Sequence, residues 1–145
     1  MHIAYPPPGP GLPPETISAL QRAAQQAAEH AYAPYSKFRV GAALLLADGT
    51  MVTGCNVENA SFGLSICAER SAVVKAVSET GPQLRIMAIA VANLNGAASP
   101  PCGACRQVLS EFVTANAWIF FPGISGPEVH PFREVFPYSF QLDQG

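Results

Sequence analysis

The chain has 145 residues, 49% of them hydrophobic and 12% charged, enough apolar material to close one core and too little length for a second catalytic domain. Eight Lys and Arg against ten Asp and Glu leave a formal net charge of -2, which argues against a binder of long nucleic acid and for a small polar substrate. No basic segment leads into an apolar run, and no stretch approaches the roughly 20 apolar residues of a bilayer span, so a soluble protein of the reducing cytosol is the expectation.

Residues 1–14 are dominated by Pro and Gly, a composition that favours polyproline II over packing, and are read as a loose arm before a single domain over 15–145. Ile17, Leu20, Ala24, Ala27, Ala28 and Ala31 recur at three- and four-residue steps, predicting an amphipathic helix from Thr16 to Ala33 that Pro34 ends. Val40 to Ala47 and Met51 to Val57 flank Asp48-Gly49, the pattern of a β-hairpin.

A helix is expected from about Cys67 to Glu79, closed by Gly81-Pro82, followed by a buried strand over Ile86 to Ala92. Gly103 to about Thr114 reads as helix and Trp118 to Phe121 as strand; Pro122 to Pro127 reads as loop, and Phe132 to Phe136 as a short helix or strand. Helices alternating with strands after a hairpin predict an α/β fold, a three-layer α-β-α sandwich on a mixed sheet of about five strands.

The chemistry concentrates in Cys67-Ala68-Glu69 and Pro101-Cys102-Gly103-Ala104-Cys105. Three thiols supply three ligands to a tetrahedral zinc, which leaves one position for water, and Glu69 falls beside them as a proton carrier. CxE followed by PCxxC is the signature of zinc deaminases acting on nucleobases, with cysteine in the first ligand position. Cys67 and the Cys102/Cys105 pair fall at predicted helix starts, where free N–H groups and the helix dipole favour thiolates.

Three thiolates overload a divalent ion with negative charge, and Arg70 is placed to draw some of it off; a solvated surface ion pair is its equally weighted alternative. Four cysteines could also form two disulfides, but the CxxC spacing favours reduced thiols on a metal. Cys55 is a rival fourth ligand for a closed, non-catalytic zinc module. Strand period opposes it: Asn56 and Glu58 share one face and Cys55 and Val57 the other, so with the polar face toward the pocket Cys55 looks into the core.

Tyr35 to Leu44, Gly54 to Gly63, Ile66 to Arg70 and Pro101 to Gln107 together resemble the small, homotetrameric cytidine deaminases, with the likeness running from about Thr16 to Phe140. The resemblance implies zinc on Cys67, Cys102 and Cys105 with Glu69 as proton shuttle in hydrolysis of cytidine and deoxycytidine. It further implies Asn56 and Glu58 on the ribose hydroxyls, Phe38 against the pyrimidine, and a backbone contact from Ala68. Ala60, Phe62 and Phe140 are implied to reach a neighbouring subunit's site.

Two departures stand out. Pro100 occupies a position usually small and polar, which stiffens the second zinc loop without disturbing its ligands. Gly123 to Pro127 lacks the family's Asp-Gly turn, so the end of the sheet is expected to be short or irregular. Within the deaminases, a polynucleotide-acting enzyme would need a basic channel that Lys37, Arg39, Arg70 and Arg106 do not form by number or spacing. A guanidino-nucleoside deaminase shares the zinc motifs and stays open.

Overall fold

A computed structural model describes residues 12–144; most of the arm expected over 1–14 lies outside the described residues. The helix α1 (Pro14–Ala28) opens at Pro14, whose missing N–H and fixed φ suit the first helical position, and Glu15 follows in the first turn. It ends at Ala28, short of the expected Ala33, because tertiary pairing takes the chain over. Tyr32 N–H donates to Asn56 O at 3.0 Å, and Glu58 N–H donates to Tyr32 O at 2.8 Å.

The expected hairpin forms from β1 (Val40–Leu46) and β2 (Met51–Cys55), paired antiparallel around Asp48-Gly49; β1 ends one residue early, and β2 two residues short of Val57, which instead bridges Tyr32 and Ile66. Helix α2 (Ala68–Thr80) has Cys67 as its N-cap and Gly81 as its C-cap. Strand β3 (Ile86–Asn93) leads to α3 (Gly103–Ser110), capped by Cys102.

Helix α3 stops four residues before Thr114 because Val113 and Thr114, both β-branched, begin β4 (Val113–Gly123), which is much longer than the predicted Trp118–Phe121. Strand β5 (Gly126–Pro131) returns antiparallel, with Gly123 opposite Gly126. The segment read as a loop is therefore a tight hairpin around Ile124-Ser125, and the sheet's end is regular without an Asp-Gly turn. Phe132–Val135 forms a short helix, α4.

The five strands lie in the order β2-β1-β3-β4-β5, with β3 and β4 parallel and the other neighbours antiparallel. This is the mixed sheet of a three-layer sandwich. Alternation along β1 assigns its faces. Ala43 and Leu45 pack with Ile17, Leu20 and Ala24 of α1; Ala42, Leu44 and Leu46 pack with Ala72, Val73 and Ala76 of α2 and Leu109 of α3.

Two glycines set the layer spacing. A Cβ on Gly41 would lie 2.0 Å from Ala24 O, and one on Gly54 would lie 2.4 Å from Ala72 N, so α1 and α2 rest directly on strand backbone. The second contact fixes the height of α2, and with it Cys67 and Glu69. No helix among the described residues is long and apolar enough to cross a membrane.

Candidate active site and metal centre

The N-termini of α2 and α3 converge. Cys67 and Cys102 are their N-caps and Cys105 sits in the first turn of α3, so three thiols from distant sequence lie with all sulfurs within 4.8 Å of one another. Cys67 Sγ is 3.9 Å from Cys102 Sγ, and Cys105 N–H donates to Cys102 Sγ at 3.3 Å.

Hydrogen bonding from Cys105, joined by Arg70 and Cys102, pulls the Cys67 thiol down to about 5, while the same bond and burial push Cys105 up. A cation competes with protons for these thiols, which couples ligation to pH. Soft, closely spaced thiolates at two positive helix ends fit zinc, and the coupling makes metal binding weaken as pH falls.

Arg70 lies against the thiol cluster. Its Nη2 donates to Cys67 Sγ at 3.4 Å, and hydrogen bonds to Cys67 and Cys105 raise its pKa. Its bonding partner is thus a thiol of the cluster and not the carboxylate of a solvated ion pair.

Glu69 is the buried charged residue of the described chain, 5% exposed, on the first turn of α2. Burial, reinforced by the charge of Cys67, pushes its carboxyl up to about 7, where it can both take and return a proton near neutral pH.

Above these groups opens a cavity of about 460 Å³. Its lining brings Phe38, Asn56, Glu58, Cys67, Ala68, Glu69 and Cys102 together, and Pro100 forms part of the wall without disturbing the Cys102 cap. Cys55 and Val57 are absent from it, as the strand period requires. Cys55 also stands outside the thiol cluster, so it is no fourth ligand. It is half-buried and belongs to neither apolar cluster, a flank of the core instead of the core position expected.

Asn56 and Glu58 are already engaged. Asn56 Nδ2 donates to Phe38 O at 2.7 Å and its Oδ1 accepts from Val40 N–H at 2.8 Å. Glu58 accepts from Tyr35 N–H at 2.9 Å, Ser36 N–H at 3.1 Å and the Ser36 hydroxyl. The Ser36 hydroxyl bond leads the interactions that hold the Glu58 carboxyl below its ordinary value. A carboxylate has about four acceptor positions and an amide two donors, so each side chain retains capacity for a ligand.

Ala60 and Phe62 lie outside this cavity, with Phe62 77% exposed and edge-on to Tyr35. Phe140 is 66% exposed and lines a separate cavity with Gln107 and Leu142. Within one chain these three do not join the site.

Ser36, Val91, Ala98 and Ser99 also line the cavity and had not been singled out from the sequence. Ser36 accepts from Phe38 N–H at 3.0 Å, a hydroxyl turn whose Ser-x-Phe spacing was a usable signal. Asn93-Leu94-Asn95-Gly96, directly after an apolar strand, was the signal for the loop behind Ala98 and Ser99.

A sulfur triad on two helix ends beside a buried carboxyl defines a zinc-dependent hydrolytic site on an α/β sandwich. The family profile described as "Cytidine and deoxycytidylate deaminase zinc-binding region" matches residues 14–121. The chain belongs to this family, and the cluster of Cys67, Cys102 and Cys105 is its zinc-binding centre.

A cytidine deaminase from Mycobacterium tuberculosis is 46% identical over 134 residues, 91% of this chain and 95% of the relative. Another, from Halalkalibacterium halodurans, is 49% identical over 107 residues, 74% and 80% of the two chains. The crystal structure of cytidine deaminase from Burkholderia pseudomallei superposes with a TM-score of 0.76 at 42% identity, covering 85% of this chain and 98% of that one.

Proposed function

We propose that the chain hydrolyses cytidine and deoxycytidine to uridine and deoxyuridine with release of ammonia, a step of pyrimidine salvage. The observation that carries this is the single cavity in which the thiol cluster and buried Glu69 face Phe38, Asn56 and Glu58. Cytidine deaminases among its relatives support the same substrate class.

Zinc on Cys67, Cys102 and Cys105 would supply a nucleophilic water near neutral pH. Glu69 takes one proton from the attacking water as its oxygen bonds to C4 and passes it to the ring nitrogen, then carries the second, from the new C4 hydroxyl, to the departing amine as the C4–N bond breaks and the C4 carbonyl forms. Arg70 draws charge from Cys67, and the α2 terminus presents the Ala68 backbone to the base. Phe38 gives the pyrimidine an aromatic wall, while Asn56 and Glu58 offer their remaining capacity to the sugar hydroxyls.

Bonds within the chain engage three of the four cations that a polynucleotide channel would draw on. Arg39 bonds Glu29 O, Arg70 a thiol, and Arg106 the carbonyls of Pro101 and Val135 at 2.8 and 2.7 Å. Exposed Phe62 and Phe140 are read as contacts that complete a neighbour's site in a homotetramer, and the unpaired thiols suit a reducing cytosol.

The test is the ultraviolet change as cytidine becomes uridine, with ammonia measured in parallel. Wild type is expected to consume cytidine, chelator-treated protein to stop, and zinc to restore it. No loss of cytidine by zinc-loaded protein would reject the reading; faster turnover of a guanidino-nucleoside would reassign the substrate.

A further inference from the structure

We propose that Asn95, outside the cavity, is a positioning residue that fixes Phe38 in the cavity wall and thereby sets the fit of the pyrimidine. The proposal rests on the reading of Phe38 as that wall. Asn95 Oδ1 accepts from Arg39 N–H at 3.0 Å and its Nδ2 donates to Lys37 O at 3.0 Å, so one planar amide bridges the residues on either side of Phe38.

On the other edge Asn56 bridges the residues on either side of Arg39, through Phe38 O and Val40 N–H. Two side-chain amides thus act as the strand partners that this segment lacks, one along each edge. Leu94 N–H adds a bond to Arg39 O at 3.0 Å.

Lys37 shows why such a clamp is needed. Its φ of 61° lies in the left-handed region, which an L residue keeps only where its surroundings enforce it. Lys37 N–H donates to Ala33 O at 3.0 Å, and Asn95 holds the carbonyl end.

Asn95 is itself anchored: its N–H donates to Asn93 Oδ1 at 2.9 Å, and Asn93 Nδ2 donates to Ser99 Oγ at 2.9 Å. Ser99 lines the wall that leads to Cys102. The Asn93–Asn95 turn therefore ties the Phe38 wall to the wall carrying a zinc ligand, and its geometry sets the separation of the two.

The test compares wild type with Asn95→Ala and Asn95→Asp, following cytidine kinetics, zinc content and amide hydrogen exchange at Arg39 and Val40. Asn95→Ala is expected to keep one zinc per chain, raise KM about tenfold and hold kcat within about threefold, the pattern of lost ground-state positioning. Exchange at Arg39 should quicken by about tenfold or more, with Val40, held by Asn56, far less affected.

Asn95→Asp keeps the acceptor for Arg39 and loses the donor to Lys37, so it should keep Arg39 protected with an intermediate KM; it carries the test if Asn95→Ala does not fold. An unchanged KM with unchanged Arg39 exchange would overturn the proposal, as would a fall in kcat that tracks zinc loss. Should wild type leave cytidine intact, the substrate reading falls, while Arg39 exchange still decides whether Asn95 holds the segment.

Discussion

On the proposed reading, the Arg70 guanidinium offsets the negative charge of a site built from thiolates alone. Its removal leaves Cys67 without its 3.4 Å donor, so Arg70→Gln is expected to lower kcat/KM or zinc affinity about 10–100-fold; chelator competition with wild-type retention and turnover would contradict this. Glu58 gives a second residue-scale prediction. Its carboxyl is held below the ordinary 4.5, chiefly by the Ser36 hydroxyl, so the carboxylate's bonds are complete above that value and are lost only as pH falls through the lower folded one. Ser36→Ala should move the Glu58 pKa back up, read by carboxyl NMR titration, and the acid loss of stability should begin at higher pH; an unmoved pKa would show the backbone donors suffice. The zinc ligands and Glu69 were legible in the sequence because their chemistry demands close local spacing. Asn95 was not, because it acts on residues 56 and 58 positions away through main-chain groups that are there whatever the side chain.

The elements were read well where periodicity and punctuation agree, as in α2 between Cys67 and Gly81. They were misread where tertiary pairing overrides local preference. Ala31 continues the apolar spacing of α1, yet Tyr32 pairs with the chain at Asn56 and Glu58. Ala115 and Asn116 hide the start of β4, whose register shifts between Ile86 and Ala88 against β3. Gly41 and Gly54 give an element-scale test of how the layers carry the site. A methyl at either position meets helix backbone, so Gly41→Ala and Gly54→Ala should each cost about 1–3 kcal/mol, or roughly 3–10 °C in Tm for a chain of this size. Of the two helices these glycines touch, α2 bears a zinc ligand at its cap and α1 bears none, so Gly54→Ala should also release zinc to a chelator faster, with Gly41→Ala close to wild type. Equal zinc loss from both would mean that metal retention follows global stability.

At the scale of the whole molecule, one chain holds the thiol cluster, a buried carboxyl and a cavity lined by Phe38, Asn56 and Glu58, while Phe62 and Phe140 stand exposed away from it. If neighbouring chains complete the site, specific activity should fall on dilution in step with dissociation measured by sedimentation; a fully active monomer would remove the shared-site reading. The three-layer fold was legible from the α/β alternation, whereas the final hairpin around Ile124-Ser125 was hidden by a Pro- and Gly-rich composition that reads as loop. The proposed chemistry converges on the buried carboxyl beside the thiol cluster. The most direct measurement is therefore turnover of cytidine by Glu69→Gln with zinc quantified in the same sample. Full zinc occupancy with turnover reduced by about 10²-fold or more is the expected result, and a zinc-loaded variant that keeps most of its turnover would contradict it.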